Sequence, residues 1–175
     1  DPGRVHGEGE DQRGHVRELV ARIRLERAQA IARRRHRREL VAKARAAVGG
    51  NLEGKDIGVL GLAFKPNTDD IRDSAATHIV QLLQKEGARV RVFDPVAQEN
   101  SKRVLENVVF AQDSYEAARG ADALVLATEW QKFKELDWAQ VRDIMRQKIL
   151  IDGRNLFDPD VIQQLGFVYY GVGRA

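Results

Sequence analysis

Residues 58–73 read GVLGLAFKPNTDDIRD. The stretch opens inside Ile57–Ala63, a short apolar run rich in β-formers, which predicts a buried strand. It then breaks into Phe64-Lys65-Pro66-Asn67-Thr68-Asp69-Asp70-Ile71-Arg72-Asp73, where Pro, Asn and Asp supply turn chemistry. Ser74 is well placed to cap a following helix, and Ala75–Lys85 carries the helical spacing Ile79, Val80, Leu82, Leu83. A strand, a long polar loop and a helix in this order begin an alternating α/β chain.

Outward from this unit the alternation continues. Arg89–Phe93 alternates like a strand and is ended by Asp94-Pro95. Val108–Phe110 reads as a short strand, Tyr115–Arg119 as a short helix, and Ala123–Thr128 as the continuous apolar run of a central parallel strand. Trp138–Arg146 is helical, Lys148–Asp152 a strand, Asp158–Gln164 a short helix and Phe167–Gly171 a last strand. Strands and helices at such short spacing predict a doubly wound parallel sheet.

The first third of the chain differs in kind. Residues 1–50 hold 13 Lys and Arg against 7 Asp and Glu, whereas residues 51–175 hold 16 against 19. The basic character therefore belongs to the N-terminal part, and the α/β part is mildly acidic. Residues 1–14 are Gly-rich and charged and read as a disordered tail. From His15 to Val48 there is no Gly or Pro, and the composition is that of a helix. Val16, Leu19, Val20 and Ile23 give one apolar face, as do Leu40, Val41, Ala44, Ala47 and Val48. Between them Arg33-Arg34-Arg35-His36-Arg37-Arg38 places charge on every face. Gly49-Gly50 is a stop signal.

Composition narrows the chemistry. There is no cysteine, which excludes disulfides, thiolate metal sites and a thiol nucleophile within the chain. No apolar run approaches the ~18–20 residues of a membrane span, and the N-terminus lacks a signal peptide's apolar centre. A cytoplasmic protein without a membrane partner is the expectation. The four histidines lack metal-ligand spacing and are expected on surfaces or helix faces.

Ligands of open α/β sheets sit at the carboxyl ends of the strands. The loop after Ile57–Ala63 offers Phe64, Lys65 and Arg72 ahead of a capped helix start. Cations and backbone N–H groups of this kind suit a diphosphate. The loop after Lys148–Asp152 is Asp152-Gly153-Arg154-Asn155, which puts a second guanidinium on the same sheet edge, with Gly153 expected to let the backbone turn sharply. Gly58-x-x-Gly61 is not the G-x-G-x-x-G dinucleotide fingerprint. Asp94 ends a second strand, where a Rossmann domain has its ribose-binding acid, but Asp-Pro there is more often a strand terminator. Trp130 and Phe133 either face a ligand or pack beneath the loop.

Several motifs in order carry a resemblance. Leu52-x-Gly54-Lys55 follows Gly49-Gly50. Then come VLGLAFKPNTDDIRDS at 59–74, VFDP at 92–95, GADALVLATEW at 120–130, IDGRN at 151–155 and GFVYYGVGR at 166–174. From about Glu39 to Arg174 the chain resembles the C-terminal, UDP-binding domain of the UDP-glucose/GDP-mannose dehydrogenase family. TEW followed by Phe133 favours the UDP-glucose 6-dehydrogenase branch. The resemblance implies an α/β fold with a Rossmann-like parallel sheet and flanking helices, which the composition of the first 50 residues precedes with a long basic N-terminal helix. Together they divide the chain into a disordered tail (1–14), a helical linker, by the resemblance a remnant of a central dimerisation helix (15–50), and a UDP-sugar-binding domain (51–175).

By that resemblance Phe64, Lys65 and Arg154 contact the UDP-sugar, and Arg72 reaches the NAD phosphates. The whole enzyme oxidises UDP-glucose to UDP-glucuronate with NAD. Its NAD fingerprint, cysteine loop and other catalytic residues lie upstream of this segment. The chain alone is thus expected to bind UDP-glucose or UDP-glucuronate, to bind NAD without strength, and to be inactive. Its expected partners are a second copy or a missing N-terminal dehydrogenase domain. Ser74-Ala75 stands where the family has Ser-Pro. Residues 1–37 read as unlike the family, as from a truncated or frame-disrupted gene whose family sequence resumes near Arg38. The competing readings are an interaction module docking a separate NAD-binding subunit, and a nucleic-acid-binding basic helix, which lacks a recognition motif.

Overall fold

The computed structural model describes residues 8–173. The start of the expected tail, with His6, lies outside the described residues. The chain divides into two units, Asp1–Arg35 and His36–Ala175.

All that is described of the first unit is helical and belongs to α1, Glu8–Ala47. The helix begins ahead of the expected His15 and passes through Gly9 and Gly14. Each glycine costs a helix about 1 kcal/mol relative to alanine, but propagation from an existing helix is cooperative and offsets this. Every side chain from Arg13 to Arg35 is exposed, including Val16, Leu19, Val20 and Ile23.

The second unit starts with the last turns of α1, whose Leu40, Val41, Ala44 and Val48 are buried. Gly49 and Gly50, both at positive φ, end the helix, and the Gly50 N–H donates back to the Arg45 carbonyl at 2.8 Å. Six strands follow: β1 Asp56–Leu60, β2 Arg89–Phe93, β3 Val109–Phe110, β4 Ala123–Leu126, β5 Ile149–Asp152 and β6 Val168–Gly171. All pair in parallel, in the order β3-β2-β1-β4-β5-β6. The chain reverses its direction of growth between β1 and β4, which makes that gap the topological switch point.

Helix α2 is Ala75–Lys85, α4 Ser114–Ala118, α6 Trp138–Ile144 and α7 Pro159–Gln164. The caps are local: Ser74, as expected, accepts from the Ala76 N–H, and Asp113, Asp137 and Asp158 cap the others. Two single-turn helices, α3 Gln98–Ser101 and α5 Gln131–Lys134, have no apolar period to announce them.

The central strands β1, β4 and β5 bury both faces. Ile57, Val59, Ala123, Val125, Ile149 and Ile151 face one core with Leu40, Ile79, Val80 and Leu83. Leu60, Leu124, Leu126 and Leu150 face the other, with Phe133, Trp138, Val141 and Ile162. Gly58 has no room for a side chain, because a Cβ there would lie 2.6 Å from the Ala117 carbonyl oxygen. Helix α4 can approach β1 so closely only over a glycine.

The amino ends of the strands carry an ion cluster. The Asp56 carboxylate accepts from Arg89 at 2.8 and 2.9 Å and from Arg146 at 3.1 Å. Asp122, buried, accepts from the Asp56 N–H at 2.9 Å, Arg146 at 3.0 Å and Gln147 at 3.2 Å. Bonds from Arg89 hold Asp56 below the ordinary carboxylate value. Burial pushes Asp122 up, but the Asp56 N–H, Gln147 and Arg146 together bring it below as well. Carboxyls depressed in the folded state stabilise above the unfolded value, about 3.9, and lose that contribution as pH falls through the folded values. Arg146→Met is therefore expected to lower stability modestly at pH 7, solvent screening of the exposed guanidinium keeping the loss small. In urea unfolding the gap between parent and variant should close toward pH 2. A gap that stays constant would show that packing of Arg146, not its charge, is at work.

Candidate functional site

Three loops leave the carboxyl ends of β1, β4 and β5 beside the switch point. The loop after β1 runs from Gly61 to Ser74. Its base is buried and tied down. The Ser74 hydroxyl donates to the Leu62 carbonyl at 2.6 Å, and the Thr128 hydroxyl, from the loop after β4, donates to the Ala63 carbonyl at 2.9 Å.

The centre of this arrangement is Asp94. It ends β2 as expected of Asp-Pro, and it also has a role that its neighbours in sequence do not reveal. Its buried carboxylate accepts five N–H bonds. Oδ2 takes those of Leu62 (2.7 Å), Ala63 (3.1 Å) and the Trp130 indole (3.2 Å), and Oδ1 takes those of Val96 (2.9 Å) and Ala97 (2.8 Å). One side chain thus fixes the loops after β1, β2 and β4 against each other. Trp130 and Phe133 are buried beneath them, so they pack rather than face solvent.

Beyond that base the β1 loop is polar and exposed. The Phe64 ring is about half exposed, and its N–H donates to the Asp70 carbonyl at 2.7 Å. Lys65 is exposed. Arg72 forks onto the Asp70 carboxylate through Nε (3.0 Å) and Nη2 (2.8 Å), and its N–H reaches the same group at 2.9 Å. These bonds from Arg72, with the field of Lys65, bring the Asp70 carboxyl down to about 2. Arg72 shares an open cleft with Thr68, Asp70, Asn100 and Arg103.

Arg154 lies in a different cleft, of about 340 Å³, with His36, Glu129, Gly153, Asn155 and Val172. Its Nε and Nη2 both donate to the Glu129 carboxylate, the second at 2.9 Å. This fork holds Glu129 below the ordinary carboxylate value and raises Arg154. His36 is half-buried; burial, and then the charge of Arg154, lowers its value. Beneath them Asp152 is fully buried and accepts from the N–H groups of Arg154 (3.2 Å) and Phe157 (3.0 Å) and the Tyr169 hydroxyl (2.8 Å). Asn155, at φ 50°, exchanges both its side-chain amide bonds with the backbone of Val172.

Gly153 is needed for a reason other than the expected sharp turn. A Cβ there would lie 2.7 Å from the Leu126 carbonyl oxygen and 2.8 Å from Leu40 Cδ1, so close approach decides it. The expected loop cations thus fall into two groups, Lys65 with Arg72 after β1 and Arg154 after β5. Glu129 and His36 belong beside Arg154, and sequence reading did not find them.

A dinucleotide pyrophosphate does not fit the β1 turn. Gly61 packs against Thr128, Gly58 is covered by α4, and the Ser74 hydroxyl already occupies the start of α2.

Comparison with known proteins identifies the family and the fold. Residues 58–159 match the model of the UDP-glucose/GDP-mannose dehydrogenase family, UDP binding domain. The UDP-glucose 6-dehydrogenase of Rhizobium meliloti (strain 1021) is 43% identical over 152 residues, covering 87% of this chain and 35% of that protein. That of Pseudomonas aeruginosa is 44% identical over 131 residues, covering 71% of this chain and 29% of that protein. The structure of a UDP-glucose dehydrogenase from the hyperthermophilic archaeon Pyrobaculum islandicum superposes with a TM-score of 0.70 at 34% identity, over 81% of this chain and 30% of that one. The chain thus spans about a third of the length of the relatives it matches. The Rhizobium match is longer than Glu39–Arg174 by more than a dozen residues. The likeness to that protein therefore enters α1 ahead of Arg38, which moves the expected start of the family-like sequence toward the N-terminus but leaves the first twenty or so residues outside the match. A basic, exposed helix face carries too few distinctive residues for eye recognition.

Proposed function

Because the chain belongs to the UDP-glucose/GDP-mannose dehydrogenase family as its UDP-binding domain, we propose that it holds UDP-glucose for an NAD-dependent oxidation completed by residues outside it. Phe64, Lys65 and Arg154 contact the nucleotide sugar, and Arg72 reaches toward the NAD phosphates. The observation that carries this reading is the convergence of the loops after β1, β2 and β4 on the buried Asp94 carboxylate, which anchors the base of the loop bearing Phe64 and Lys65 next to the switch point. Within this chain there is no thiol to act as nucleophile and no dinucleotide fingerprint, so the domain by itself binds and does not oxidise.

Isothermal titration with UDP-glucose tests it. The parent should bind with modest affinity, since part of the ligand's shell is supplied elsewhere. Lys65→Ala and Arg154→Ala should each weaken binding by about tenfold, the loss of one charge-assisted bond. No NADH should form with NAD and UDP-glucose together. Absence of heat from the parent, or steady NADH production, would overturn the proposal.

A further inference from the structure

The cleft around Arg154 is electrically unlike a phosphate site. Two of the three guanidinium nitrogens, Nε and Nη2, are already committed to Glu129. Nη1 makes no hydrogen bond among the described residues. The neighbouring cation candidate, His36, is held toward the neutral form by burial and by Arg154, with Glu39 and Arg37 the other charges that act on it. Asn155 spends its amide on Val172. What the cleft offers a ligand is therefore the donors on Nη1 and the remaining acceptor lone pairs of a fixed carboxylate, on an ion pair whose two charges balance.

A phosphate entering here would bring its charge up against Glu129, and the like charges would repel. A pair of neighbouring sugar hydroxyls has the opposite property. Each hydroxyl donates one proton and accepts through its lone pairs. A vicinal diol can thus give to Glu129 and take from Arg154 at once. Lys65, in contrast, is an exposed ammonium with no hydrogen bond among the described residues, and suits a phosphate oxygen.

We propose that Glu129 is a specificity-determining residue, which pairs with Arg154 to make the 340 Å³ cleft a site for a vicinal diol of the nucleotide sugar rather than for its phosphates. This rests on the proposal that the domain binds UDP-glucose. The diol belongs either to the ribose or to the hexose, and the choice of probe separates them.

The test is a two-dimensional amide-proton NMR titration of the 175-residue chain, parent and Glu129→Gln, with UDP-glucose, UDP and inorganic diphosphate as probes. In the parent, UDP-glucose should shift the Gly153, Arg154 and Asn155 amides, and diphosphate should leave them still. If UDP also shifts them the diol is the ribose; if only UDP-glucose does, it is the hexose. Removing the carboxylate charge in Glu129→Gln should weaken UDP-glucose binding by about fivefold and strengthen diphosphate binding by a similar factor, now with shifts at 153–155. Three results overturn the inference: UDP-glucose bound with those amides unmoved, equal tightening of both probes in Glu129→Gln, or no change in either. The shifts of these three amides are read in the parent, so the first of these results does not depend on the variant folding. A parent that binds no UDP-glucose would defeat the functional proposal itself, and the diol assignment with it.

Discussion

Asp94→Ala is expected to lower the unfolding free energy of the second unit by roughly 3–5 kcal/mol. The carboxylate is buried and accepts five N–H bonds from three loops. Leaving one buried donor unsatisfied costs about 1–3 kcal/mol, and relaxation of the loops keeps the sum below five such penalties. Asparagine tests whether shape alone suffices. Whichever way its amide is turned, an NH₂ faces two or three N–H donors that need an acceptor. Asp94→Asn should therefore still cost about 2 kcal/mol or more. Urea unfolding of both variants gives the measurement. An Asn variant as stable as the parent would show that the negative charge is not what holds the loops. Where the variants stay folded, UDP-glucose affinity should drop further than stability alone explains, because Phe64 and Lys65 follow directly on the freed Leu62 and Ala63.

The second large effect belongs to Gly61→Ala, at roughly 2–4 kcal/mol. Gly61 stands at φ +94°, where an L side chain is strained. The space is also taken: a Cβ would lie 2.5 Å from Thr128 Cβ and 2.7 Å from Thr128 N. Backbone cannot yield as a flexible side chain can, so the β1 and β4 loops must separate. The Thr128 hydroxyl would then lose the Ala63 carbonyl. Gly120 is the control. It too has positive φ, +67°, but nothing lies within 4 Å of its added Cβ. Gly120→Ala should cost only the strain, about 1–2 kcal/mol. Equal urea midpoints for the two alanine variants would mean that crowding at Thr128 contributes nothing.

Much of the fold was legible because its signals are local. Strand β2 alternates within Arg89–Phe93, and Ser74 caps α2 from the adjacent position; both match the expected bounds. The single turns α3 and α5 gave no such signal, since one turn is shorter than any apolar period. Site residues were legible in part. Lys65, Arg72 and Arg154 could be found because cations on strand-end loops are conspicuous in sequence. Their partners follow different rules. Asp70 stands two residues from Arg72, but Glu129 lies 25 residues from Arg154, and Asp94 lies 32, 31 and 36 residues from the Leu62, Ala63 and Trp130 N–H groups among those it binds. Such pairs exist only once the sheet has brought β1, β2, β4 and β5 side by side. His36 was hidden for another reason. It sits inside an arginine run that reads as solvated on all sides, yet the ring is half-buried.

The ion cluster of Asp56, Asp122, Arg89 and Arg146 lies at the opposite end of the strands from Asp94 and the ligand loops. Strands of four or five residues separate the two by about 13–17 Å, beyond the range at which substitutions usually couple. Acid tolerance and ligand recognition are thus separable traits in this scaffold. The trailing edge of the sheet can be re-engineered for robustness while the leading edge keeps its selectivity, and evolution has had the same freedom.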